Sequence, residues 1–340
     1  MYTEINAGEQ QELMQVLDNF PELGKVRQIQ RNTKANVNAI YLVDTEQGKY
    51  ILRKSNPNTT EMQLEFEEAV LRGLEEKQCG FVPRIVETRD QKTLFGKFRL
   101  FTFLEGKDAY EWNSRNFLDG EYASMFSFMA KLHSLLADLN VKDLKAPFAI
   151  LSFLQEFPHE LDRQMAIAPE DQFSDILKTD AEFIKQQCGA VKQALLDLSY
   201  RDAPKQVIHA DIHLGNVLFR DGQVSGLVDF DWVTIESPWW DFAYSFTQNG
   251  TRCGEKDGEL NPTLFALALQ SYCGERELTK EELRLLQLLV KAADIRNLKW
   301  VVDTYYEPSL AHLHEKCAHY REHFLNTLKQ NEYHLLGVVQ

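Results

Sequence analysis

The chain has 340 residues, 44% hydrophobic and 26% charged, an ordinary globular composition long enough for two lobes that each carry a core. Its 37 basic residues stand against 51 acidic ones, a formal net charge of −14, and that balance excludes broad nucleic-acid binding, which needs clustered positive charge. An acidic surface suits a cationic small molecule better. In chain order, residues 9–20 place Leu13, Val16, Leu17 and Phe20 at helical spacing before Pro21 stops them. Residues 38–43 and 49–53 are β-prone and are joined by a turn over 44–48 that ends in glycine. Thr60 and Gln63 form a capping box that opens a helix running to Gly80. Residues 81–83 and 94–104 read as further strands around Gly96, and Gly106 marks a change to helices. Residues 119–139 put Tyr122, Met125, Phe126, Met129, Leu132, Leu136 and Leu139 on one stripe. Residues 148–203 look helical with an irregular charged middle near 168–175, and residues 260–334 look helical throughout.

No internal repeat, low-complexity tract or Gly/Ser linker interrupts the chain, so two hinged lobes are expected rather than independent domains. Five cysteines (79, 188, 253, 273 and 317) are odd in number, far apart and without a C-x-x-C pair, which fits free thiols in a reducing compartment. Residues 1–8 show no signal-peptide pattern, and no apolar run approaches the ~18 residues of a membrane span. A cytoplasmic protein without a membrane partner is expected; its oligomeric state is not readable.

The most informative stretch is 207–231. Asp211 follows His209 by two, Asn216 follows Asp211 by five, and Asp229 ends a second apolar run over 226–228. A carboxylate on a short loop, an amide five residues on and a second carboxylate at the end of a hairpin are what phosphoryl transfer requires. One group orients the attacking hydroxyl and accepts its proton, and the other two hold Mg²⁺ against nucleotide phosphates. A plain hairpin with polar ends accounts for an isolated H-x-D, but not for the full spacing between apolar strands.

His209-Ala210-Asp211-Ile212-His213-Leu214-Gly215-Asn216, followed by Asp229-Phe230-Asp231, resembles the signature of the aminoglycoside phosphotransferase-like kinases. That superfamily includes choline kinases, protein-kinase-like bacterial homoserine kinases and N-acetylhexosamine 1-kinases. The resemblance spans residues 30–305 and is strongest over 207–243. It implies an α+β, bilobal protein-kinase-like fold: a small antiparallel-sheet lobe with one helix over 1–99, a hinge over 100–106, and a larger, mainly helical lobe over 107–340. Carried over by position, it makes Asp211 the catalytic base, with His209 bracing the loop, Asn216 and Asp229 the Mg²⁺ ligands, and Asp241 the residue ordering the segment behind. Ala210 departs from the usual glycine, a change read as minor because the residue is still small.

On the nucleotide side the resemblance implies a strand cation that contacts the ATP phosphates and pairs with a helix glutamate. The register gives Arg53, with Lys54 as the alternative on the other face. Glu67 is the favoured partner, with Glu65 and Glu68 as competitors. The loop over 31–38 holds no glycine, so its backbone and its Asn and Thr side chains are left to cap phosphates. The Thr102 carbonyl and the Leu104 amide would bind adenine, and His133 reads as a structural histidine.

Acceptor candidates lie at Asp231, Trp232, Glu236, Tyr244, Arg296, Asn297 and Trp300, several of which could equally be core. His312, His314, Cys317, His319 and His323 suggest zinc, since His319 and His323 are one helical turn apart. The pattern is not H-E-x-x-H and no acidic third ligand is positioned, so a polar helix is expected instead. The expectation is an ATP- and Mg²⁺-dependent phosphotransferase acting on a hydroxyl of a small molecule, a homoserine-like amino alcohol or a sugar such as an N-acetylhexosamine. Aminoglycoside and choline kinases, a Ser/Thr protein kinase and a pseudokinase are the alternatives. The helices over 148–203, roofing a small pocket, count against the protein kinase; the glycine-free loop and Arg53 are the only support for the pseudokinase.

Overall fold

A computed structural model describes residues 2–35, 37–108, 118–141, 143–250, 258–274, 276 and 278–329. The small lobe opens with β1 (Tyr2–Glu4), α1 (Ala7–Leu17), β2 (Val26–Asn32), β3 (Ala39–Thr45) and β4 (Lys49–Lys54). It continues with α2 (Glu61–Glu76), β5 (Ile85–Val86) and β6 (Phe98–Thr102). The strands form one sheet, in the order β1-β2-β3-β4-β6-β5, in which every adjacent pair is antiparallel. The β3–β4 hairpin and the Thr60–Gln63 capping box form as the sequence predicts. β2 was not foreseen, because in VRQIQRN only Ile29 is buried and the apolar alternation that marks a strand is missing. Residues 81–83 are not a strand: the Phe81 carbonyl accepts from Leu227 in the other lobe, and pairing begins only at Ile85, after Pro83.

One face of the sheet packs on α1, through Leu13, Val16, Leu17, Val43, Leu52 and Leu100. The apolar stripe of α2 (Phe66, Val70, Leu71, Leu74), with Ile85 and Phe101, instead joins the core of the large lobe. The lobes are therefore continuous through α2 as well as through the connecting strand. Beyond β6, residues 103–106 lead to β7 (Lys107–Asp108) and then α3 (Asp119–Leu136), whose predicted stripe from Tyr122 to Leu136 is buried. α4 (Ile150–Ile167) and α5 (Gln172–Asp197) pack side by side, and the irregular stretch between them ends where Asp171 caps α5 by accepting from the Ser174 amide at 2.8 Å.

β8 (Gln206–Ile208), β9 (Val217–Arg220), β10 (Gln223–Leu227) and β11 (Thr234–Glu236) surround the motif-bearing loops. β10-β9-β7 make one small sheet and β11-β8 another. The remaining elements are α6 (Pro238–Asn249), α7 (Pro262–Cys273), α8 (Lys280–Tyr306) and α9 (His314–Lys329). Among the described residues no helix is long and apolar enough to cross a membrane. Cys79, Cys188, Cys273 and Cys317 are free thiols, and Cys253 lies outside the described residues.

Gly106 holds the turn from the upper sheet into β7. Its φ is +155°, and an added Cβ would lie 2.5 Å from Ser225 Oγ and 2.8 Å from Leu218 Cβ. Gly106→Ala should lower unfolding stability by about 2 kcal/mol, measured by urea denaturation; an unchanged midpoint would contradict the steric reading.

Candidate active site

The loop after β8 is held from behind by one carboxylate. Asp241, fully buried in the first turn of α6, accepts from the backbone amides of His209 (3.0 Å) and Ala210 (2.6 Å). It also meets His133 Nε2 at 3.0 Å, and His133 Nδ1 pairs with the Tyr272 hydroxyl at 2.7 Å. Immediately after the second of those amides the backbone turns left-handed, with Ala210 at φ +62°. A residue with a Cβ costs about 1–2 kcal/mol there, so the departure from glycine is not minor.

His209 is fully buried. Its Nδ1 accepts from the Asp211 amide at 3.3 Å, which leaves Nε2 to donate to the Val228 carbonyl at 3.2 Å. Burial pushes its pKa down, only partly offset by Asp241 and Asp211. A neutral imidazole thus ties the Asp211 loop to the strand end that carries Asp229. The ring contacts backbone rather than the cleft, so its place with the catalytic group is that of a brace.

Asp211 is 9% exposed. Asn216 Nδ2 donates to its carbonyl at 3.0 Å and to Oδ2 at 3.1 Å. His213 Nε2 stands 3.9 Å from Oδ2 and Arg296 Nη1 stands 3.8 Å from Oδ1. Burial alone would raise the carboxyl, but His213, Arg296 and the Tyr244 hydroxyl outweigh it and hold it below the ordinary range. Asp229 begins the next turn in a left-handed conformation (φ +65°, ψ +69°). Burial, then the charges of Asp231 and Asp211, push its pKa well up. Crowding of carboxylates in this way fits a site for a cation, which relieves the repulsion.

On the small-lobe side, Arg53 on β4 lies directly opposite Arg99 on β6. Like charges in that register repel, and Glu67 of α2 separates them. Arg53 Nη1 and Nη2 donate to its two oxygens at 2.7 and 2.5 Å, and Arg99 Nη1 donates to Oε2. Burial would raise the Glu67 carboxyl, yet Arg53 and Arg99 hold it below its usual range. Burial lowers Arg53, and Glu67 and Asp231 more than reverse it, whereas in Arg99 burial prevails and the pKa falls. The ion pair is therefore Arg53 with Glu67, and the competing residues have other partners or stand exposed. Lys54 faces away and pairs with Glu12 at 2.9 Å, Glu65 is exposed, and Glu68 serves Arg72 and Thr93.

Asp231 is not on the acceptor side as expected: it pairs with Arg53 and accepts from Asn38 Nδ2 at 2.5 Å. Glu236 also leaves the acceptor set. It is fully buried, and its oxygens accept from the Ile150 amide (3.1 Å), the Tyr200 hydroxyl (2.7 Å) and Lys205 Nζ (3.1 Å). Asn297 is tied to Gln248 and Thr247, and Trp300 turns toward Tyr320 of α9, with ring centroids 6.5 Å apart. The remaining three candidates meet. The Arg296 guanidinium stacks 4.5 Å from the ring of Trp232 and 4.5 Å from that of Tyr244. Thr102 uses its amide and hydroxyl on Arg84 of the neighbouring segment, while Leu104 lies over Gly226. Of the loop over 31–38, Asn36 lies outside the described residues. Asn38, in the loop expected to cap phosphates, donates instead to Asp231. Arg99 and His213 lie beside these groups and were not singled out; the second histidine of His209-Ala-Asp211-Ile-His213 and the place of Arg99 opposite Arg53 were the available signals.

A sequence profile of the APH phosphotransferase enzyme family matches residues 28–286. The chain belongs to that family. It is a small-molecule phosphotransferase with a kinase-like α+β fold. A homoserine kinase of Chelativorans sp. (strain BNC1) is 30% identical over 302 residues, 87% of this chain and 85% of the relative. Among solved structures, an amicoumacin kinase in complex with AMP-PNP, Ca²⁺ and Ami superposes with a TM-score of 0.67 at 17% identity, covering 96% of this chain and 97% of the other. A choline kinase from Cryptosporidium parvum Iowa II gives 0.62 at 13%, covering 97% and 98%. At those identities the structural likeness speaks for the fold alone.

Removing Glu67 would leave two buried guanidinium groups facing each other. Glu67→Ala should destabilise the protein by about 3–5 kcal/mol, measured by equilibrium unfolding. A loss below about 1 kcal/mol would show that Asp231 and Glu68 suffice as counter-charges.

Proposed function

We propose that this phosphotransferase moves the γ-phosphoryl group of ATP to the hydroxyl of a small amino alcohol of the homoserine type. The observation that carries the reading is Asp211. It is a nearly buried carboxylate kept ionised by His213, Arg296 and Tyr244, and the aromatic-walled Arg296 stands 3.8 Å from it. The homoserine kinase relative supports the acceptor class. The amicoumacin kinase crystallised with AMP-PNP and Ca²⁺ supports a nucleotide with a divalent cation.

Asp211 accepts a hydrogen bond from the acceptor hydroxyl, orients its lone pair at the γ-phosphorus and takes the proton as the new P–O bond forms and the bond to the ADP oxygen breaks. His209 and Asp241 keep that carboxylate in place through the backbone, which lowers the reorganisation needed at the moment of transfer. Arg53 is read as the contact for the nucleotide phosphates. Its buried Nε–H finds no partner among the described residues, so a phosphate oxygen would satisfy it. The Thr102 carbonyl and the Leu104 amide are read as the adenine contacts. Asp229 and the amide oxygen of Asn216, whose nitrogen is turned to Asp211, are the residues that would hold Mg²⁺. When bound, such a cation neutralises phosphate charge. Few protein ligands suffice, because Mg²⁺ retains waters and binds phosphate oxygens.

Asp211→Asn should lower kcat for phosphorylation of L-homoserine by about 10²–10⁴-fold while leaving the affinity for ATP nearly unchanged; near-normal turnover would remove the base assignment. Asp229→Ala should abolish the Mg²⁺-dependent part of nucleotide affinity in a calorimetric titration. Equal affinity for ATP with Mg²⁺ in the variant and the parent would exclude Asp229 from the metal site.

A further inference from the structure

We infer that Arg296 is a carboxylate-binding subsite beside Asp211, so that the acceptor is recognised by an acid group as well as by its hydroxyl. The inference rests on the phosphotransfer reading above and adds what selects the acceptor. Arg296 sits in the middle of α8 and is 8% exposed. A buried guanidinium is costly unless its donors are used. Its one carboxylate neighbour among the described residues is Asp211, at 3.8 Å, beyond hydrogen-bond distance. The other interaction of its donors is with the Tyr244 hydroxyl. Trp232, Tyr244 and Phe148 hold the group by its surroundings, at 4.5, 4.5 and 5.8 Å from their ring centroids. Aromatic packing of this kind fixes the guanidinium plane and leaves its N–H edge for a bidentate acceptor. Trp232 is 38% exposed, so this wall opens to the cleft.

The charge around the acceptor supports the same ligand. The whole chain carries −14, which suggested a cationic substrate, but the acceptor side of Asp211 is the reverse. His213 stands beside the carboxylate; burial pushes its pKa down, and Asp211 offsets this only partly. The positive charges of Lys316 of α9 and Arg296 add to the lowering, so the imidazole is neutral and the cations there are Arg296 and Lys316. Once Asp211 is engaged by the hydroxyl, the remaining charges on that wall are cationic. An acceptor with only an ammonium group would meet like charge there, while a carboxylate would gain a charge-assisted fork. With hydroxyl and carboxylate each about 2.8 Å from their partners, and those partners 3.8 Å apart, the two acceptor groups lie no more than about 9 Å from each other. A short hydroxy acid fits within that limit.

The test compares three acceptors with Mg·ATP: L-homoserine, 4-hydroxybutyrate, which lacks the ammonium group, and 3-aminopropan-1-ol, which lacks the carboxylate. The parent protein should use 3-aminopropan-1-ol at least about 100-fold less well than L-homoserine in kcat/KM, with 4-hydroxybutyrate retaining most of the activity. Arg296→Gln should lower kcat/KM for L-homoserine by about 100-fold more than it lowers kcat/KM for 3-aminopropan-1-ol, with the difference mainly in KM. The loss of charge beside Asp211 slows both acceptors, while the loss of the fork weakens only the carboxylate-bearing one. Arg296→Lys should recover part of the loss. Unchanged affinity for Mg·ATP reports that the variants are folded. Equal use of L-homoserine and 3-aminopropan-1-ol by the parent would overturn the subsite while leaving phosphotransfer intact. An equal loss on both acceptors in Arg296→Gln would do the same. If the parent phosphorylates none of the three, the homoserine reading falls and the subsite falls with it.

Discussion

A single buried carboxylate organises the site. Asp241 reaches from α6 to two consecutive backbone amides and to His133, and the loop it holds contains a left-handed alanine. Without those bonds the turn at Ala210 has no reason to persist, since its conformation is disfavoured for any residue with a Cβ. With them, His209 is directed to the Val228 carbonyl and Asp211 is presented at the cleft. The chain of cause runs from a buried charge, to a strained backbone, to a placed side chain. The polar groups on this path satisfy one another, as a buried network must if it is to give rigidity.

Around that frame the charges are arranged in opposed sets. Burial, and then the charges of Asp231 and Asp211, raise the pKa of Asp229. Facing them are Arg53, itself shared by Glu67 and Asp231, and Arg296, stacked on aromatic rings. The arginines differ in how they are compensated. Arg53 has two carboxylates at hydrogen-bond distance, whereas Arg296 has one that stands further off. This asymmetry supports assigning the two arginines to different ligands, phosphate on one side and acceptor on the other.

Much of this was legible in the sequence, and the parts that were not have physical reasons. The spacing from His209 to Asp229 identified the loop, because apolar strands bracket it. The stripe of α3 and the capping box of α2 gave those helices directly. β2 was hidden because a largely exposed strand has no apolar alternation to read. Glu67 could not be separated from its neighbours on one helix face until the opposed arginines of β4 and β6 showed which carboxylate lies between them. Asp231 and Glu236 look alike as acidic residues after a strand, yet one completes the Arg53 pair and the other caps α4 from within the core. Such assignments depend on contacts between residues far apart in the chain, which spacing does not encode.

The most direct test of the account is phosphorus NMR of the protein incubated with Mg·ATP and L-homoserine. A new phosphomonoester resonance, coupled to the methylene protons of the acceptor and growing in step with ADP, is the result expected. Release of inorganic phosphate alone, with the acceptor unchanged, would contradict transfer to a hydroxyl and with it the role given to Asp211.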